Sequence, residues 1–487
     1  MTYSPVANFS SPVKKYHPYF YLALFIAAIT SYTNFGHNTG DEYSQIFEFA
    51  SYKLGYVSQA DLRYEFGTQM RPTIQTWFVI AVNRLASLFT QDINPFYVNY
   101  VVYLLSAALC IYSVYVFTKA FLTRIDPKYQ KYFVMLSLFN WLVLYTNAHF
   151  NSENISGHLL LLAVGLLYPK LADLGNIRSI GIGLILGLSF SCRFQIGFAI
   201  FGLMLWLLFT YYRTKRLRDW TLILTSMLIS ILVFNIISDY YFYGRWVCSA
   251  YNYFYQNIVT GMMNKQAGVS PWYAYFLTVS FYLPFGPLFV IGTLYYIYRY
   301  PLDILSSIII SFAVCHILIG HKEVRFLLPI LGFAPFFMIT TLGDLLKQHS
   351  HFERIALKTI KILWIINVFC FTTLLIPAAT DLGAWRFLYN NYKKPTILYY
   401  NASANQKLLY YKGPNIVLVP YRPGDPIAFL PSQNCLIAVD ANTRESKPSY
   451  PLVYSFFPPF LENSLPQAIK RAVGHFNIYE IQNVELK

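Results

Sequence analysis

Residues 303–345 read DILSSIIISFAVCHILIGHKEVRFLLPILGFAPFFMITTLGDL, two apolar stretches with a polar island, HKEVRF (His321–Phe326), between them. A hydrocarbon core of about 30 Å needs about 20 apolar residues of helix to cross it, so each flank is close to one crossing. Four ionisable groups within five residues, His321, Lys322, Glu323 and Arg325, are costly to keep dry unless they pair or meet a ligand. The island therefore belongs at a membrane boundary, as the turn between two spans.

The same alternation extends along the chain. Apolar runs occupy 18–35, 72–90, 97–118, 131–147, 155–170, 179–192, 194–212, 220–238, 273–297, 303–319, 325–345 and 359–379. Of the 487 residues 56% are hydrophobic and only 12% charged, with a mean hydropathy of +0.41. Soluble domains carry about 25% charged residues, so the chain reads as an α-helical multispanning membrane protein. The net charge of +15 is what basic cytoplasmic loops give; nucleic acid is not an expected partner. The first apolar run ends in polar SYTNFG without a small-residue cleavage site, so it is expected to remain as an uncleaved helix. The six cysteines are scattered, with no CxxC or His pairing, and signal neither a metal nor a redox site; no cofactor is expected.

Lys and Arg accumulate on the cytoplasmic side of short loops. Lys14 and Lys15, the turn Lys119–Lys131, Lys170 with Arg178, Arg213–Arg218, and Lys347–Lys361 all read as inside. Parity then holds from residue 119 onward and leaves the tail outside. Upstream, 36–71 is outside and 119–131 inside, so only one of 72–90 and 97–118 can cross. The former begins Arg71-Pro72 and contains Gln75, Asn83 and Arg84, which suits an interfacial or bundle-packed helix. The expectation is about eleven transmembrane helices, N-terminus in and C-terminus out; twelve spans, with 72–90 crossing and 119–131 outside, is the alternative.

Four polar stretches then share the outer face: 36–71, 148–154, 239–272 and 320–325. The first carries Asp41 and Glu42 at the start of an amphipathic helix. Either they cap that helix and favour its dipole, or one carboxylate is a general base for an acceptor hydroxyl. In HKEVRF, Lys322 and Arg325 either snorkel to headgroups with Glu323 as partner, or converge with His321 on a phosphate. Between these stretches SDYYFYGRWVCSAYNYFYQNIVTG and SPWYAYF, from Asp239 onward, form an aromatic surface suited to headgroups or sugar rings. Asn147, His149, Asn151, Ser152 and Glu153 make an amide-rich turn, and Arg193 and Gln195 punctuate a tight hairpin.

HKE-x-RF, preceded by a YG-x-W…N…N…G…PW block and a DE-x-x-Q in the first outer loop, resembles glycosyltransferase family 22. The matching residues are Asp41, Glu42 and Gln45; Tyr243, Gly244, Trp246, Asn252, Asn257, Gly261, Pro271 and Trp272; and His321, Lys322, Glu323, Arg325 and Phe326. That family has the GT-C architecture and transfers mannose from dolichyl-phosphate mannose, including in glycosylphosphatidylinositol and N-glycan precursor assembly. The resemblance implies inverting transfer of a hexose, mannose foremost, from a polyprenyl- or dolichyl-phosphate sugar to a glycolipid or glycan acceptor. It implies Asp41 as base with Glu42 beside it, and His321, Lys322 and Arg325 on the donor phosphate, an electrostatic role that requires no metal. Gln45, Asp239, Tyr243, Asn252, Trp272 and Glu323 are the expected substrate-binding residues.

After residue 380 the composition shifts to short strands, PTILYY, NIVLVP, NCLIAVD and HFNIYEIQNVEL, with LENSLPQAIKRAVG as a helix. The expected division is a GT-C catalytic module over 1–379, whose outer loop 36–96 carries interfacial helices, and a small extracytoplasmic α/β domain over 380–487. A secondary transporter or flippase of a lipid-linked saccharide is the rival reading, and predicts polar residues near mid-span and broken symmetry-related segments. The length and the absence of a retrieval motif point to a bacterial inner membrane with the site facing the periplasm; an ER membrane with the site facing the lumen is the alternative.

Overall fold

The computed structural model describes residues 12–282, 284–400, 408–422, 425, 433–440, 450–457, 464 and 476–481. Every one of the twelve apolar runs falls on a helix or on two in succession. Four stretches are continuous, long and apolar enough to cross a bilayer: Pro95–Arg124, Phe194–Arg213, Leu217–Tyr243 and Ser350–Leu375. Two bent pairs add to them, Gly286–Arg299 with Ile304–Leu318 at 119° and Val324–Leu331 with Ala334–Gln348 at 68°. Length and composition alone thus give four to six spans among the described residues, fewer than the charge pattern predicts. The difference arises because several apolar runs form short or interrupted helices.

The run 131–147 shows how such an interruption is tolerated. It divides at Asn140 into Gln130–Phe139 and Trp141–Asn147. Backbone groups freed inside a bilayer must be satisfied by the protein itself. Here the buried Asn367 side chain donates to Phe139 O at 2.8 Å and accepts from Trp141 N at 2.7 Å, while Asn140 accepts from Leu142 N. The run 72–90 forms the fourteen-residue helix Ile74–Ser87, about 21 Å long at 1.5 Å per residue. Its start is tied to neighbours: Gln75 donates to Phe150 O at 3.0 Å and Trp77 to Ser238 O at 3.1 Å.

The loops sort to the two ends of the Pro95–Phe121 helix. At its C-terminal end Arg124 pairs with Asp303 at 2.9 Å, Lys128 with Glu353, and Lys347 with Asp126 at 3.7 Å, gathering loops that read as inside. At its N-terminal end Tyr103 donates to Gly36 O, and the stretches 36–71, 148–154, 239–252 and 321–325 meet.

Close helix contacts depend on glycine. A Cβ on Gly157 would lie 2.5 Å from Pro329 Cα and O, so the Ser152–Leu167 helix can touch the backbone just after HKEVRF only without a side chain. Gly157→Ala is therefore expected to cost about 1–3 kcal/mol, as overpacking does, and to lower the melting temperature of the purified protein; an unchanged melt would contradict this packing account.

The tail forms a five-stranded mixed sheet in the order β2-β1-β3-β5-β4, from β1 Thr396–Tyr400, β2 Ile416–Pro420, β3 Asn434–Asp440, β4 Leu452–Tyr454 and β5 Phe476–Glu480. β1 runs parallel to β2 and β3, while β5 is antiparallel to β3 and β4. The expected strands in 395–400, 415–420 and 434–440 coincide with β1, β2 and β3, and β5 falls within the expected strand 475–486, of which 475 and 482–486 lie outside the described residues; three-residue β4 is too short to show in the sequence pattern. The expected helix over 461–474 lies outside the described residues apart from Ser464. Tail and first outer loop share one apolar core: Tyr43 stacks on Tyr411, Phe47 packs on Tyr410, and Asn99 donates to Tyr411 Oη at 2.9 Å.

Candidate functional site

Thr39 caps the helix that opens the first outer loop, its hydroxyl accepting from Glu42 N at 3.2 Å. Asp41 and Glu42 follow on the first turn and, being adjacent, face different surroundings. Glu42 turns inward and is fully buried, accepting from Asn38 N at 2.8 Å and Phe150 N at 2.7 Å. His149 lies 3.6 Å from it and pairs through Nε2 with Asn34 Oδ1 at 2.8 Å. Burial pushes the Glu42 carboxyl up to about 7, and burial together with His37 holds His149 down at about 3. Glu42 thus ties the Asp41 loop to the 148–151 turn and does not reach the charged cluster that Asp41 enters.

A carboxyl whose folded pKa is raised binds its proton more tightly folded than unfolded, so its contribution to stability falls as pH rises from about 4.5 to about 7. Glu42→Gln is expected to flatten that part of the stability profile and keep the fold. Melting curves between pH 5 and 8 check this; an unaltered slope would mean Glu42 titrates normally.

Asp41 Oδ2 lies 2.8 Å from Arg325 Nη1 and 3.8 Å from Arg71 Nη2. Residues almost three hundred positions apart therefore meet in one ion pair. Burial pushes the Asp41 carboxyl up, but Arg71, Arg325 and Arg193 outweigh it, and the group is held at about 2.

Each arginine has its own glutamate. Arg71 contacts Glu65 Oε1 through Nη2 and Nε, at 2.5 and 3.2 Å. Gln45 donates to the other Glu65 oxygen at 3.1 Å. Arg193 meets Glu153 at 3.1 Å and donates to Gln195 at 3.0 Å. Arg325 grips Glu323 through two bonds of 2.6 and 3.0 Å, and His321 Nε2 meets the same carboxylate at 3.0 Å. Three arginines and three glutamates balance, and Asp41 stands beyond that balance.

Lys322 makes no ion pair among the described residues. Its ammonium bonds to the carbonyls of Ile319 and, at 3.5 Å, Ser270, and lies 5.9 Å from the Tyr275 ring centre. Burial lowers its pKa, and no carboxylate neutralises it. Tyr275 and Val324 both line an apolar cavity of ≈ 300 Å³ that continues along Val290, Ile309, Val314, Leu327 and Leu331. The unpaired cation thus lies beside Tyr275, one of the residues that line this groove between helices.

Three other expected substrate-binding residues serve the framework. Asp239 is completely buried and is used up internally, accepting from Thr73 N at 3.0 Å, Thr73 Oγ1 at 2.7 Å and Ser249 Oγ. Tyr243 donates to Arg71 O at 3.0 Å and Asn252 to Gln69 O at 3.2 Å, so all three hold the segment that aims Arg71. Trp272 is exposed and packs on Tyr273 and Phe276. Sequence reasoning noted Arg71, Glu153 and Arg193 without placing them in a site and passed over Glu65. The parity that puts HKEVRF outside also puts the 193–195 turn there, which was the available signal for Arg193.

Comparison with known structures identifies the architecture. ArnT from Cupriavidus metallidurans in the apo state matches with a TM-score of 0.54 at 12% identity, covering 88% of this chain and 93% of that one. The same protein bound to undecaprenyl phosphate matches with a TM-score of 0.53 at 10% identity, covering 97% and 99%. At such identities the likeness is one of fold, a GT-C-type helical bundle. In sequence, the chain is 25% identical over 367 residues to GPI mannosyltransferase 3 of Debaryomyces hansenii, a match covering 72% of this chain and 63% of that relative's length. Residues 19–393 match the model of the Alg9-like mannosyltransferase family. That span holds most of the chain, including Asp41, Arg71, Arg193 and the whole of HKEVRF, and the chain belongs to the Alg9-like mannosyltransferase family.

Proposed function

We propose that the protein is a membrane mannosyltransferase that moves mannose from a polyprenyl- or dolichyl-phosphate donor to a lipid-linked or glycan hydroxyl, with inversion. The observation that carries this reading is the juxtaposition at HKEVRF: a carboxylate paired with Arg325 on one side, and on the other Lys322, without an ion pair among the described residues, beside Tyr275 of the apolar groove. A donor whose phosphate meets Lys322 and His321 would lay its isoprenoid chain along Val324, Leu327 and Leu331 and present its sugar toward Asp41. The acceptor oxygen attacks the anomeric carbon as Asp41 takes its proton, and the bond to the phosphate oxygen breaks with its electron pair leaving on the phosphate. Cationic groups fixed where that charge develops stabilise the transition state without reorganising. The known names fit: the yeast relative is called a GPI mannosyltransferase, and the fold neighbour was solved with undecaprenyl phosphate bound.

In this reading residues 1–379 are the catalytic module, opening on the extracytoplasmic face, the periplasm for a bacterial inner membrane. Residues 380–487 buttress the Asp41 loop through Tyr410 and Tyr411. Transport is not favoured, because the ionisable cluster gathers at one end of the bundle. The test is incubation of purified protein with polyprenyl-phosphate mannose and candidate glycolipids, followed by mass analysis. One added hexose on the acceptor is expected; donor left intact with every acceptor would overturn the proposal.

A further inference from the structure

Arg325 presents the two halves of the proposed reaction with a conflict. Its Nη1 holds Asp41 at 2.8 Å while Nε and Nη2 grip Glu323, so the guanidinium is committed to two carboxylates. A carboxylate locked in that pair is a poor proton acceptor, since general-base efficiency rises with the base's proton affinity. Yet Asp41 is the carboxylate that the balanced Arg71–Glu65, Arg193–Glu153 and Arg325–Glu323 pairs leave in excess.

We propose that Arg325 is handed from Asp41 to the donor phosphate, so that binding of a lipid phosphate at HKEVRF is what turns Asp41 into a base. This rests on the mannosyltransferase reading above and adds a coupling between the two sites. The phosphate enters beside Lys322 and competes for Nη1, the one face of the guanidinium that Glu323 does not hold. As the sugar–phosphate bond breaks, charge on the phosphate grows and draws Arg325 further, while Asp41 gains proton affinity in the same step. The arginine then stabilises the transition state more than the ground state, the condition for acceleration. The groups facing Asp41 are Arg71, Arg325, Arg193, Gln45 and, less closely, Tyr64 and Glu323; of the cations, only Arg325 also belongs to HKEVRF.

The coupling is reciprocal and measurable. Farnesyl methyl phosphate, a diester, keeps a single charge between pH 4 and 6 and serves as the probe. If it takes Arg325 from Asp41, the carboxyl rises by about one to three pKa units from about 2, and binding takes up a proton. Calorimetric titration in buffers of different ionisation enthalpy should then show wild-type uptake above that of Asp41→Asn, growing toward pH 4 to about 0.1–0.9 proton per site. Equal uptake in the two proteins would overturn the handover. Should Asp41→Asn not fold, the probe's affinity in an His321→Gln background is the second measurement: it should rise as pH falls from 6 to 4, by up to about tenfold, and a flat profile is the overturning result. A wild-type protein that does not bind the probe at all rejects the lipid-phosphate reading itself, an outcome distinct from binding without proton uptake.

Discussion

Asp41→Asn is expected to lower mannose transfer by about 10²–10⁴-fold, the usual contribution of a positioned general base, with the protein still folded. The substitution keeps the shape of the side chain and its reach to Arg325 and Gln45, and removes the charge and the proton affinity. Arg325 retains its two bonds to Glu323, and Arg71 retains Glu65, so neither arginine is left unpaired. Donor binding should not weaken, since a neutral side chain at position 41 no longer holds Arg325 from the phosphate, which separates loss of the base from loss of a binding site. Stability supplies an independent check. A carboxyl held at about 2 against an ordinary 3.8 contributes stability that is fully present above about pH 4 and is lost as pH falls toward 2. The wild type should therefore exceed the variant at neutral pH and converge with it under acid. Transfer within a few fold of wild type would remove Asp41 from the mechanism, and a gap that persists at pH 2 would remove the ion pair from the stability argument.

What the sequence disclosed of this site and what it withheld divide along a physical line. HKEVRF and the DE pair were legible because charge is conspicuous against apolar flanks, and basic loops orient helices without any knowledge of packing. Parity expected both on one face; that they meet there, across almost three hundred residues, only the fold shows. Arg71 and Glu65 were not legible, because each sits in a loop already rich in polar residues. Nothing local distinguishes Glu65, which bonds Arg71 and Gln45, from Asp61, which serves a turn at Ser58. Asp239 is the opposite case: a lone acid beside aromatic residues suggests a ligand, and in the fold it accepts from Thr73 and Ser249, protein groups that only the folded chain supplies. The span count suffers similarly, because a break such as Asn140 is invisible until Asn367 is seen to satisfy it.

Arg193→Met should be the most damaging single change to stability. Arg193 and Glu153 are both almost wholly buried, with side chains 6% and 2% exposed, and lie 3.1 Å apart. Removing one partner of such a pair strands the other charge in a low-dielectric site, at a cost of about 3–5 kcal/mol. Arg325 does not rescue the stranded carboxylate, since its Nε is 4.0 Å from Glu153 and bonded to Glu323 at 2.6 Å. The effect also reaches the reaction: Arg193 is one of the three arginines that face Asp41, so residual folded protein should show reduced transfer. Glu153→Gln leaves a polar group able to bond Arg193 and is expected to cost less. Combining it with Arg193→Met should recover part of the single-mutant loss, because no buried charge then remains unpaired at that position. Denaturation of the four proteins closes the double-mutant cycle, and a coupling energy near zero would show that Arg193 and Glu153 act independently and that the pair does not hold the site together.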